Sequence, residues 1–281
     1  MAEAVRADVA LAARGLARSR TEASALIRAG QVLVDGRPVR RASERVAPTA
    51  SLTLADDGPR WVSRAAHKLV SALEAFPDVA VRGRRALDAG ASTGGFTQVL
   101  LEGGAARVAA VDVGHGQLVD LVRTDPRVLV REGLNVRDLT VQDVEGEVDL
   151  VVSDLSFISL RLVMDALAGV CRPGADLLLM VKPQFEVGRA ALPRTGVVTD
   201  PAARRDVVAA VAAAALDSGL ELRGLARSGL PGQDGNVEFF LRLRRQAADA
   251  AGAPGTGLDD DAPAAEAVAA AWTAAAEVDW A

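Results

Sequence analysis

Between residues 61 and 245 the chain alternates short apolar, β-branched runs with segments of helical period, and few architectures accept that alternation. Strands are expected at 86–89, 108–113, 128–131, 148–154, 177–182, 220–225 and 237–243, and helices at 63–76, 95–102, 118–123, 160–170 and 201–218. Helices between successive strands make most of the sheet parallel, and the direct link between the last two strands makes them a hairpin. The expected fold is α/β, a Rossmann-like, doubly wound sheet of seven strands. Such sheets bind ligands outside the carboxyl ends of their strands, so those ends are where chemistry is sought.

A smaller α+β unit precedes the sheet. Val9, Leu11, Leu16, Ala23, Leu26 and Ile27 recur at helical spacings around Ser19, which can cap a second helix with Glu22 as its capping-box partner. Gly30 closes that helix, residues 31–35 alternate as a strand, and Asp35-Gly36 turns the chain into a second strand around Val39. The run Ala55-Asp56-Asp57-Gly58-Pro59 is a connector, which gives domains at 1–58 and 59–245. Residues 246–281 are rich in Ala, Asp and Gly and read as a disordered acidic tail, with at most a weak helix at 266–278.

Net charge is −5, yet its distribution matters more than its sum. From Ala247 onward there are seven acids and no Lys or Arg, whereas residues 1–45 carry nine arginines against five acids. A basic head suits a polyanionic partner even in an acidic chain. The chain has no apolar run of membrane-spanning length, no basic start with an apolar core, and a single cysteine, Cys171. These point to a cytoplasmic protein, and a monomer is expected. His67 and His115 lack metal-ligand spacing, so no metal is expected.

Asp88-Ala89-Gly90-Ala91-Ser92-Thr93-Gly94-Gly95-Phe96 lies between a strand and a helix, where glycines let the backbone turn sharply and approach a ligand. The spacing differs from the dinucleotide fingerprint. Asp88 would repel a pyrophosphate but attract an ammonium group, and Asp112, closing the second strand, can accept hydrogen bonds from ribose hydroxyls. Asn135, after the third strand, can reach an adenine edge. The candidate cofactor residues are thus Asp88, Gly90, Ser92, Gly94, Gly95, Phe96, Asp112 and Asn135, with Asp154 at the end of the fourth strand. A structural turn after a core strand is the alternative for the loop alone.

Of 32 basic residues only two are lysine, Lys68 and Lys182. A lysine, unlike an arginine, can lose its proton near neutral pH in the right surroundings. Lys68 lies on the helix before the first strand, Asp154 ends the fourth strand, Lys182 ends the fifth, and Glu238 lies inside the last strand. The segments "SRAAHKL", "DAGASTGGF", "SDLSFIS", "VKPQFE" and "GNVEFF" resemble the TlyA family of RNA methyltransferases, whose core is similar to the FtsJ group of 2′-O-methyltransferases. The run "LARSRTEASALIRAGQVLVDGRPV" resembles the S-four, or alpha-L, RNA-binding domain. Together these resemblances cover residues 6–245. They imply a methyltransferase sheet using S-adenosylmethionine, an RNA-binding head, and ribosomal RNA or assembled ribosomal subunits as substrate, with cytidine ribose 2′-hydroxyls of 16S or 23S RNA as targets. The family's Lys-Asp-Lys-Glu set falls on Lys68, Asp154, Lys182 and Glu238. In the head, Arg6, Arg14, Arg18, Arg20, Arg28, Arg40 and Arg41 are the candidates for tracking phosphates.

A ribose hydroxyl is a poor nucleophile until its proton is taken. Lys182 is the expected base, helped by crowding from Lys68 and partial desolvation, with Lys68 orienting the hydroxyl. Asp154 and Glu238 would position the amines without pressing closely, since a tight ion pair favours the charged amine. Two other functions compete: a non-catalytic RNA-binding assembly factor and a pore-forming haemolysin, a label the family also carries. The intact lysine pair disfavours the first. The absence of any spanning run and the nine aromatics disfavour the second.

Overall fold

The computed structural model describes residues 4–28, 30–54, 61–232, 234–246 and 278–280. It divides into two compact units, Met1–Arg64 and Ala65–Ala281.

In the first unit, helices Ala7–Ala13 and Arg20–Arg28 pack on a three-stranded antiparallel sheet of Val32–Val34, Arg37–Pro38 and Leu52–Leu54. A second two-stranded ladder pairs Val5–Arg6 with Arg45–Val46. Leu11, Ala23, Ile27, Val32 and Val46 form its core. Ser19 caps the second helix by accepting the Glu22 amide hydrogen at 3.1 Å. The Glu22 carboxylate, however, takes the Arg18 amide and guanidinium rather than closing the expected box on Ser19. Asp35 and Gly36 both have positive φ (50° and 76°), as a tight hairpin turn with right-handed strand twist requires. The strand Leu52–Leu54 was not foreseen, because three residues are too few for alternation to show.

In the second unit seven strands form one sheet: β1 (Arg85–Ala89), β2 (Arg107–Asp112), β3 (Val128–Glu132), β4 (Val148–Ser153), β5 (Cys171–Val181), β6 (Leu220–Arg227) and β7 (Phe239–Arg245). Their spatial order is β6-β7-β5-β4-β1-β2-β3. Strands β1 to β5 are mutually parallel, and β7 runs antiparallel between β5 and β6. This is the doubly wound α/β sheet with the expected terminal hairpin. β4 is buried along its whole length, the mark of a central parallel strand covered on both faces. Flanking helices include α1 (Ala65–Ala75), α2 (Gly95–Glu102), α3 (Met164–Gly169), α4 (Pro183–Glu186) and α5 (Pro201–Asp217). α5 opens on Asp200, whose carboxylate accepts the Ala202 amide hydrogen, with Pro201 supplying the pre-set first φ.

β5 starts six residues before its expected position. Arg172-Pro173-Gly174 reads as a turn, yet the sheet absorbs it as an irregularity between Cys171 and Asp176. Lys182-Pro183 opens the short α4, where a plain strand end was expected. Most of the segment read as a disordered tail lies outside the described residues. Within it the described stretch Val278–Trp280 is packed: the Trp280 side chain joins the core of the second unit, against Phe239 with ring centroids 4.9 Å apart.

Candidate active site

The carboxyl rim of the sheet gathers most of the candidate residues. The loop after β1 turns through Gly90 at φ 88° and Gly94 at φ 98°, conformations costly for any residue with a Cβ. Space reinforces the choice: a Cβ on Gly90 would lie 3.2 Å from the Asp154 carbonyl oxygen, and one on Gly94 would strike Leu118. Ser92 takes φ 47° without being glycine, held by its amide donating to Asp112 Oδ2 at 2.8 Å. The other Asp112 oxygen accepts the Gly114 amide hydrogen at 2.7 Å. Asp112 thus shapes the loop, and its carboxylate keeps lone pairs for a ligand.

Asp88 is fully buried. Thr97 Oγ1 donates to its Oδ2 at 2.6 Å, while Oδ1 has no partner among the described residues. Burial pushes the Asp88 carboxyl up to about 7, and the nearby Asp154 charge adds to that, against the Thr97 hydrogen bond. A buried acceptor without a donor at the mouth of a glycine loop suits a cationic ligand group.

The two lysines sit on the same rim in unlike settings. Lys68 lies on the apolar face of α1 with Ala66, Leu69 and Ala72, too buried to reach solvent along its stem. Its Nζ is 2.6 Å from Glu238 Oε2 and 3.7 Å from Met180 Sδ. Lys182 Nζ is 2.6 Å from Asp154 Oδ1 and donates to Ser156 Oγ at 2.8 Å. Asp154 is adjacent to the glycine loop, its amide donating to the Ala89 carbonyl. Glu238 is nearly sealed, with 2% of its side chain exposed against 14% for Asp154. The expectation of acids held off from the amines is corrected: each lysine has a close carboxylate. A buried ammonium without one would carry a desolvation penalty of several kcal/mol.

Other candidates are placed differently. Phe96 has its ring in the core, stacked on Phe240 with centroids 6.3 Å apart, so only its backbone faces the loop; Gly95 is buried in the first turn of α2. Asn135 is exposed and uses its side-chain oxygen to cap residues 136–138. Among the head arginines, Arg6 and Arg20 pair with the buried Asp8, whose carboxyl is held down at about 2, chiefly by the Arg6 hydrogen bond. Arg18 pairs with Glu22, and Arg14 donates to the carbonyls of Ala47, Pro48 and Ala50. Arg28, Arg40 and Arg41 extend from exposed positions.

Several residues at the rim were not singled out from the sequence, although most lie within the segments that carry the resemblance. Ser156 is one, fixed on Lys182. Phe157 is 90% exposed at φ 63°, its ring 5.1 Å from that of Phe185, which in turn lies 6.0 Å from Lys182 Nζ. Glu186 is buried and accepts from Ser159 Oγ at 2.6 Å and the Leu160 amide at 2.7 Å, so it holds the loop that carries Phe157. Gly232 presses on Glu238: a Cβ there would lie 2.6 Å from Oε1. Their places within or near the quoted segments were the clue available in the sequence. Among the described residues no cluster of three or more His, Cys, Asp or Glu is placed to hold a metal, and no helix is long and apolar enough to cross a membrane.

Comparison with known proteins bears on the family and the fold. The FtsJ-like methyltransferase family matches residues 61–245, and the S4 domain matches residues 5–51. The chain is 54% identical over 256 residues to the 16S/23S rRNA (cytidine-2'-O)-methyltransferase TlyA of Mycobacterium tuberculosis, covering 91% of this chain and 95% of that one. It is 33% identical to Hemolysin A of Brachyspira hyodysenteriae, covering 85% and 99%. A solved structure from Streptococcus thermophilus with a provisional hemolysin designation superposes with TM-score 0.67 at 35% identity, covering 98% of both chains. The chain therefore belongs to the FtsJ-like methyltransferase family, with an S4 domain ahead of the catalytic sheet.

Proposed function

We propose that the protein transfers the methyl group of S-adenosylmethionine to ribose 2′-hydroxyls of ribosomal RNA, at cytidines, in the cytoplasm. The observation that carries this reading is the pair of buried lysines, each close to its own carboxylate, beside a glycine loop with a buried acceptor that has no partner among the described residues. The names of the relatives support the substrate, and the S4 domain supports an RNA partner.

The residues present fit the cofactor. Asp88 Oδ1 would take its ammonium, Gly90 and Gly94 would let the backbone approach it, and Asp112 would hold its ribose. S-adenosylmethionine supplies a methyl group on a sulfonium, ready for in-line displacement.

Lys182 Nζ has three tetrahedral directions besides its carbon. Ser156 occupies one of them, and the Asp154 carboxylate stands 2.6 Å from the same nitrogen. In the neutral form an N–H stays with Ser156, which leaves a direction for the lone pair. The Ser156 contact therefore helps aim the base. Lys68, held in place by Glu238, orients the hydroxyl. The exposed Phe157, with Phe185 behind it, offers a face on which a base turned out of the RNA can stack.

Transfer of labelled methyl from S-adenosylmethionine to unmodified ribosomal subunits tests the reading, with ribose product identified by nuclease digestion. Cofactor binding by calorimetry without any incorporation would favour the assembly factor instead. Leakage of liposomes by the purified protein would favour the hemolysin name.

A further inference from the structure

The segment Val278–Trp280 lies beyond the span matched by the family, yet it is built into the second unit next to the rim. Trp280 is 8% exposed, with its ring on Phe239, the residue after Glu238. Arg205 lies over the same ring, 5.6 Å from its centroid, and Asp279 is ion-paired with Arg227. The carbonyl of Trp280 accepts from Arg204 Nη1.

Arg204 makes this contact more than packing. Its guanidinium is buried, and burial lowers its pKa. Among the described residues its hydrogen-bond acceptors are two main-chain carbonyls, Val198 on Nε at 2.9 Å and Trp280 on Nη1. If the Trp280 segment detaches, this buried cation loses the second of them. From Arg204 the bonds run on toward the site. The Val198 amide donates to Asn236 Oδ1 at 3.0 Å, and Asn236 Nδ2 donates to the Gly196 carbonyl at 2.9 Å. The Asn236 carbonyl accepts the Gly232 amide hydrogen at 2.8 Å, and Gly232 lies directly against the Glu238 carboxylate.

We propose that Trp280 is a positioning residue for the reaction: by completing the shell of Arg204 it fixes residues 196–198 and Asn236, and through them the place of Glu238 against Lys68. The inference rests on the reading of Lys68 and Glu238 as part of the catalytic site. It makes half of that site depend on a segment outside the family's shared domain.

The test is a double-mutant cycle on single-turnover methyl transfer to ribosomal subunits, run well below the melting temperature of every variant. Trp280→Ala is expected to lower the rate about tenfold, with cofactor Kd and RNA KM within about twofold of the parent, while Trp280→Phe stays within about twofold. In a Glu238→Gln background, Trp280→Ala should change the residual rate less than about twofold, because its target is already disabled. A parent-like rate for Trp280→Ala, or a full tenfold loss repeated on top of Glu238→Gln, overturns the inference. If Glu238→Gln alone keeps the parent rate, the reading of the site itself falls, and this inference with it. Should Trp280→Ala not fold, Arg205→Ala combined with Asp279→Asn loosens the segment from its exposed side and takes its place in the cycle. A two- to threefold loss is then expected on the parent and none on Glu238→Gln, on the order of one weak surface contact; equal losses in both backgrounds, or no loss in either, overturn it.

Discussion

The arginines of the first unit and the lysines of the sheet rim carry the same formal charge in opposite surroundings. Arg18 is 92% exposed while its partner Glu22 is its helical neighbour, so water already solvates most of that pair. Lys68 and Lys182 are each 8% exposed by side chain, and their carboxylates lie far from them along the chain, after β4 and before β7. An exposed pair contributes about 0–1 kcal/mol, whereas removing one partner of a buried pair costs about 3–5 kcal/mol. The difference teaches that an exposed pair such as Arg18–Glu22 can be lost at little cost, while a buried rim pair cannot lose one partner cheaply.

The largest effect should come at the rim. Lys182→Arg keeps the charge but not the removable proton, and single-turnover methyl transfer should fall by about 10²- to 10⁴-fold with cofactor affinity retained. A rate near the parent's would mean that another group takes the proton. Glu238→Ala should lower unfolding stability by about 3–5 kcal/mol, because it strands the Lys68 ammonium. Asp154→Ala should cost less in denaturant titrations, since its site is the more open.

Asp88 sharpens the contrast through pH. Its carboxyl sits at about 7 in the fold against 3.8 in an ordinary chain, so the folded state holds its proton more tightly than the unfolded state. Stability of the cofactor-free protein should therefore fall as pH rises from about 4 through about 7. Asp88→Asn removes that slope and should melt higher than the parent at pH 8 by several degrees, the equivalent of a few kcal/mol at most. A parent and variant with parallel melting curves from pH 5 to 8 would refute the buried, unpaired carboxyl. The same variant should bind S-adenosylmethionine more weakly by calorimetry.

Smaller effects follow. Ser156→Ala should slow transfer about tenfold, the loss of one hydrogen bond of about 1.5 kcal/mol to a charged group, without moving the RNA KM. In the head, Arg28→Ala should weaken RNA binding slightly and lower its salt slope by about 1, the signature of one phosphate contact. Arg14→Ala should act chiefly on stability, since its guanidinium holds three carbonyls near Ala50. Equal salt slopes for both variants would erase the distinction drawn between them.

Much of the architecture was legible because it rests on periodicity. The seven strands and the hairpin ending announce themselves as apolar runs, and Gly90 and Gly94 as the only residue type that their φ and neighbours admit. Departures came where local signals mislead. Arg172-Pro173-Gly174 looks like a turn but is absorbed within β5, and the two residues each of Val5–Arg6 and Arg45–Val46 are too short to show a period. Trp280 stands in a composition that reads as disorder, and a single aromatic gives no periodic warning that it has a pocket to fill.

The chemistry divides along the same line. Composition and order along the chain determined that Lys68 sits on the helix before the first strand, that Asp154 and Lys182 close two strands, and that Glu238 belongs to the last, because residue type and position along an element are properties of one dimension. Only the tertiary structure decided the pairing: Lys68 with Glu238 across 170 residues, Lys182 with Asp154 and Ser156, and Asn236, Gly232 and Trp280 behind Glu238. Each buried ammonium must find an acceptor in three dimensions, and which acceptor it meets depends on how β5, β7 and α1 pack, not on their order in the chain.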